Sequence, residues 1–206
     1  MRLGTDHLPR IIDTDYPNGT IVRYFPEDCD IIDLSSTDGQ IRLFDNILEN
    51  PQLDHVIDLE AYHLQRFFSI FEDIGYNQAA ADAGMGVAVF YFLDRTLASI
   101  QTAIALRKRL TSSQFILVRN DAIGAYRAPV YGERELSRID MDRQIRLPVL
   151  STDVLDFVED PAFNLTDFIM QRPHSLPDWL TDELWSFLEE IYEQQPIGTA
   201  ESMLSA

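Results

Sequence analysis

Apolar and polar positions alternate along this chain in two rhythms that take turns. Short runs rich in Ile, Val and Phe, at Arg10–Asp13, Asp30–Leu34, His55–Leu59, Gly86–Leu93, Gln114–Arg119 and Gln144–Leu150, have the length and composition of β-strands. Between them the apolar residues recur every three or four positions, the period of a helix with one buried face. Gln40–Leu48 places Ile41, Phe44, Ile47 and Leu48 together, and Tyr62–Ile74 does the same with Leu64, Phe67, Phe68, Phe71 and Ile74. Thr96–Leu110 presents Leu97, Ile100, Ile104 and Leu110, with Arg107, Lys108 and Arg109 in the last turn, where positive charge suits the helix dipole. Strands that alternate with helices in this way predict an α/β fold with a mostly parallel sheet and helices on both faces.

The density of Val87-Ala88-Val89-Phe90-Tyr91-Phe92-Leu93 predicts a central strand covered on both sides, and Phe115-Ile116-Leu117-Val118 reads the same way. Residues Asp121 to Arg143 read as a longer polar connection, followed by short helices near Val154–Val158 and Pro161–Ile169. A last helix is expected from Ser175, as N-cap, to about Gln194. Trp179, Leu180, Leu184, Phe187, Leu188, Ile191 and Tyr192 form its apolar face, opposite Asp182, Glu183, Glu189 and Glu190. The expected organisation is one α/β domain over residues 1–170, an amphipathic helix over 175–195 packed on it, and a disordered tail over 196–206.

Charge narrows the range of partners. The chain has 206 residues and a formal charge of −18, with 34 acidic against 16 basic side chains. Direct binding to nucleic acid or to an anionic membrane rests on clustered Lys and Arg, so neither is expected, whereas a protein partner or a second copy is compatible. The lone Cys29 cannot form an internal disulfide, and the chain start lacks a signal-peptide core, so the expected location is the cytoplasm. The four histidines are scattered without metal-ligand spacing.

Three strand ends carry polar groups: Asp13 and Asp15 in Ile-Ile-Asp-Thr-Asp, Asp58 in His-Val-Ile-Asp, and Asn120 with Asp121 in Leu-Val-Arg-Asn-Asp. In a parallel sheet such ends lie on the rim where open α/β folds bind ligands. Carboxylates there can hold Mg²⁺ through water, and an asparagine amide can both donate to and accept from a base edge. The plainer role for Asp13 and Asp15 is turn formation at a strand end.

In the order and spacing of these pieces, residues 8–160 resemble the ParA/MinD-like P-loop ATPases, most closely the plasmid-associated TraL-like branch. Ile11 to Asn18 looks like the family's hydrophobic strand ending in Asp-x-Asp, Val56-Ile57-Asp58 like its Walker B strand, and Asn120 like its base-reading asparagine. The Leu147-Pro148 step after the next strand also matches. The resemblance implies a P-loop NTPase-like domain that uses ATP and Mg²⁺ in plasmid partition or conjugation. Asp13, Asp15 and Asp58 would then organise Mg²⁺ and the attacking water, with Mg²⁺ on Asp15 and Asp58. Asn120 and Asp121 would contact the nucleotide.

One departure is large. The family's glycine-rich loop with its lysine, which cradles phosphates through backbone N–H groups, has no counterpart here. Lys108, the only lysine, sits late in a helix without preceding glycines, and Leu59-Glu60 replaces the small residues usual after the Walker B aspartate. The chain as given is therefore not expected to be an active ATPase. Either one βα unit belongs upstream, or the chain is a degenerate relative that keeps the scaffold for protein interaction. The strand that would be lost is central, next to the Asp58 strand, so its absence should leave unpaired backbone and exposed apolar edges. That penalty favours a longer functional protein or a decayed gene. A third possibility is a haloacid-dehalogenase-like phosphohydrolase, which also opens with Asp-x-Asp. Pro17 stands where that family has threonine.

Overall fold

The computed structural model describes residues 9–124, 129–139, 143–171 and 176–194. The chain runs β1 (Arg10–Asp13), β2 (Cys29–Ile31), α1 (Thr37–Glu49), β3 (His55–Asp58), α2 (Leu64–Asp73) and α3 (Tyr76–Asp82). It continues with β4 (Ala88–Leu93), α4 (Leu97–Arg109), β5 (Gln114–Asn120), α5 (Pro129–Leu136), β6 (Arg143–Leu147), α6 (Thr152–Val158), α7 (Leu165–Gln171) and α8 (Asp178–Gln194). It is an α/β protein with two small parallel sheets, ordered β2-β1-β3 and β4-β5-β6. Two compact units contain them: Met1–Met85 with Glu159–His174, and Gly86–Val158 with Ser175–Ala206.

In the first unit, β1 is the middle strand, and its Ile11 and Ile12 are buried. It pairs with β2 through Ile11 opposite Cys29, and with β3 through Asp13 opposite Asp58. Helix α1 starts at Ser36, whose hydroxyl accepts the Gly39 N–H at 3.0 Å. Glycine is required at 39 because a Cβ there would stand 2.0 Å from the Asp33 carbonyl oxygen. The helix buries Leu43, Phe44 and Ile47, while Ile41, placed on the apolar face by its spacing, is half exposed. An aromatic core follows. Phe44 stacks on Phe67 at 5.5 Å between centroids, and Tyr76 lies 5.1 Å from Phe44 and 4.9 Å from Phe71. Burial pushes the Tyr76 phenol up to about 12.

The helix expected over Tyr62–Ile74 is a 3₁₀ turn, Ala61–His63, followed by α2. Gly75 then adopts a left-handed φ of 64° and starts α3, which the apolar spacing did not reveal because Asn77-Gln78-Ala79-Ala80-Ala81 carries little apolar contrast.

In the second unit β5 is the middle strand, with Phe115, Ile116, Leu117 and Val118 all buried, as its composition predicts. The expectation for β4 is corrected. Among the described residues β4 pairs only with β5, so it is an edge strand, and Phe90 and Phe92 are 43% and 63% exposed. Its composition is that of a strand with two neighbours, but one side has none. Helix α4 begins at Thr96, whose hydroxyl accepts the Ser99 N–H, and buries Ile100, Ala103 and Leu106. At its end Arg107 donates to the carbonyls of Leu110 and Ser113, which gives the basic last turn a capping role. The polar connection after β5 contains a 3₁₀ turn, Asp121–Ile123, and α5.

Helix α8 buries Leu180 and Leu184, whereas Trp179 and Tyr192 are exposed. It is tied to β6 by its last residue: the Gln194 amide accepts the Arg146 N–H at 2.8 Å and donates to the Arg146 carbonyl at 2.9 Å. The proposed N-cap Ser175 and the tail 196–206 lie outside the described residues.

Candidate functional site

Parallel pairing of β1 with β3 sets Asp13 and Asp58 side by side at the carboxyl end of the first sheet. Neighbouring strands stand about 4.8 Å apart, so two carboxylates in paired positions repel unless one of them is neutralised or tightly solvated. Asp13 is solvated by the protein itself. It is fully buried, and its carboxylate accepts backbone N–H groups from Asp15 at 2.9 Å, Thr20 at 2.7 Å and Ile21 at 2.8 Å. The loop after β1 thus wraps around one anion. Gly19 lets it close, with φ of 69° and an N–H bonded to the Asp15 carbonyl at 2.6 Å. A Cβ at that position would stand 3.0 Å from an Asp13 oxygen.

Asp58 is about half buried. Its carboxyl lies above the ordinary carboxylate range, first through desolvation and then through the negative charges of Asp13 and Asp15. Asp15 is part-exposed just beyond the strand. Asp13, Asp15 and Asp58 therefore do come together at one strand rim, in unequal roles. Asp13 organises the loop, while Asp15 and Asp58 keep contact with solvent. Among the described residues no group of three or more His, Cys, Asp or Glu side chains is arranged to hold a metal ion. With both Asp13 oxygens occupied by N–H donors, Asp15 and Asp58 are the carboxylates that could take Mg²⁺ through water.

The neighbouring Cys29 thiol is pushed up to about 11, by burial first and by Asp13 next. A thiol shifted in this direction is held in its protonated, less nucleophilic form at neutral pH. Thr14, the middle residue of Asp-Thr-Asp, is a residue that the sequence pattern does not single out. It is fully buried, and it joins the ends of the two strands by hydrogen bonds to residues 58 and 60. β1 is buried on both faces from Ile11 onward, so the period of two does not mark Thr14 out.

Asn120 ends β5 and Asp121 begins the 3₁₀ turn after it, in the second unit and beside a different sheet from Asp13 and Asp58. The Asn120 side-chain oxygen accepts the Ala122 N–H at 2.9 Å and so caps the 3₁₀ turn. That bond uses one of the two lone pairs of the oxygen. Asp121 pairs with Arg146 at 2.7 Å, and the single Nη2 nitrogen of Arg119 donates to both oxygens of Glu133, each at 2.9 Å. These bonds fasten the exit of β5 to β6 and α5.

No protein-family model, curated protein or solved structure matches this chain.

Proposed function

We propose that this chain is a ParA/MinD-like nucleotide-binding scaffold, in plasmid partition or conjugation, that carries the acidic half of an ATP site and lacks its phosphate-binding half. The observation that carries this reading is the pair of unfilled strand edges. Among the described residues β3, which ends in Asp58, pairs only with β1, and β4 pairs only with β5. An edge strand is normally short, charged or interrupted by proline. β4 is none of these: Ala-Val-Phe-Tyr-Phe-Leu has six uncharged residues and two exposed phenylalanines. It is built for a neighbour. In the first unit, the resemblance implies a strand beside the Asp58 strand that leads into the phosphate loop.

In this reading ATP would bring the phosphates and Mg²⁺ their charge neutralisation. Asp58 and Asp15 would hold the hydrated cation, and Asp13 would keep the loop after β1 in shape. Without a lysine-bearing loop the triphosphate has no cradle, so the chain alone is not an active ATPase. Burial of Asp13 weighs against the phosphohydrolase alternative, where that carboxylate would have to attack a phosphate ester. The interaction-module alternative draws on exposed Trp179, Phe90 and Phe92.

Calorimetry with millimolar Mg²⁺-ATP tests the central claim. No binding is expected from this chain; saturable binding abolished in Asp58→Ala would overturn the half-site reading. The coding DNA upstream separates the two origins of the gap: an in-frame strand, glycine-rich loop and Lys-Thr or Lys-Ser would mean a longer protein, and an immediate in-frame stop would mean a degenerate relative.

A further inference from the structure

We propose that Thr14 is the positioning residue of the Asp58 carboxylate. The β1–β3 ladder has its last residue pair at Asp13 and Asp58, and beyond it nothing in the ladder itself holds the two strands together. Thr14 continues the connection by one residue. Its N–H and its hydroxyl both donate to the Asp58 carbonyl, at 3.1 Å and 2.9 Å, and its hydroxyl accepts the Glu60 N–H at 3.0 Å. One donor and one acceptor site of a single hydroxyl are thereby used to clamp residues 58 and 60 onto residue 14.

The clamp answers a specific stress. Asp13 and Asp58 occupy paired positions, and their repulsion favours turning the end of β3 away from β1. An arginine or lysine could resist that, but it would also cancel the negative potential that makes the rim attractive to a cation. A buried neutral hydroxyl holds the backbone and leaves the potential intact. The value of that potential to Mg²⁺ rests on the half-site reading above; the clamp itself does not.

Nuclear magnetic resonance on the full chain tests it with Thr14→Val, which keeps the shape and removes the hydroxyl, and Thr14→Ser, which restores it. In the wild type the Glu60 amide is expected to exchange slowly. Thr14→Val should speed that exchange by about tenfold or more, the scale of one lost buried hydrogen bond, and shift the Asp58 carboxyl ¹³C resonance at fixed pH. Thr14→Ser should return both towards wild type, and the amides of Phe115 to Val118 should stay protected throughout. An Asp58 carboxyl resonance unchanged in Thr14→Val overturns the proposal. If that variant does not fold, the other two proteins decide: a protected Glu60 amide in both supports the clamp, and free exchange in the wild type overturns it. None of these readouts uses nucleotide, so ATP binding can fail or succeed independently.

Discussion

Asp13 shows how a carboxylate that looks catalytic in sequence can act as a structural centre. Its three N–H donors come from Asp15, Thr20 and Ile21, so the loop after β1 is folded around it. Asp13→Ala leaves those donors without an acceptor and should destabilise the chain by about 2–4 kcal/mol in urea denaturation, with Asp13→Asn losing less. Asp58 should behave in the opposite sense. Its folded-state pKa is raised, so the folded state holds the proton more tightly than the unfolded chain does. The associated stability is fully present below the unfolded pKa and is lost as pH rises through the folded one. Asp58→Asn should therefore melt slightly higher than wild type at pH 7 and no higher at pH 3. Because about half of the group faces water, the gain should stay below about 1 kcal/mol. The rim position of these aspartates was legible from hydrophobic strands ending in acid. Their division of labour was not, because it depends on which backbone N–H groups the turn at Gly19 brings back.

At the scale of elements, the six strands were legible to within a few residues because β-rich runs and turn residues punctuate them clearly. What local pattern could not give is the number of neighbours a strand has. β4 and β5 share an apolar density, yet β5 is buried and β4 lies at an edge. Two other outer strands show how edges are managed. β2 has three residues and a charged Asp30 bonded to Arg10, and the Arg146 backbone of β6 is covered by the Gln194 amide. Phe92→Lys tests the contrast. The charge should reduce concentration-dependent light scattering with little change in melting temperature, since the side chain is 63% exposed. A large loss of stability with unchanged scattering would mean that Phe92 is already covered.

Across the whole molecule the charge of −18 sets the response to solvent. Self-repulsion disfavours a compact state, and salt screens it over about 10 Å at 0.1 M. The melting temperature should rise by a few degrees between 10 mM and 300 mM NaCl; a flat or falling curve would show that the ion pairs at Arg10, Arg119 and Arg146 outweigh the net repulsion. Among the described residues no helix is long and apolar enough to cross a membrane. The α/β class was readable from alternation alone, whereas the division into two units was not, because the second unit begins within the run Met85-Gly86-Val87 and no linker marks it.

That division has a practical corollary for anyone dissecting the molecule. The segment Glu159–His174 belongs to the first unit but is threaded between two stretches of the second, Gly86–Val158 and Ser175–Ala206. No single cut releases either unit whole. A fragment ending at residue 85 forfeits Phe163 and Phe168 from its own core, and one starting at residue 86 carries them as an orphaned apolar insert. Half-molecules should therefore be made by excision and re-ligation, not by truncation.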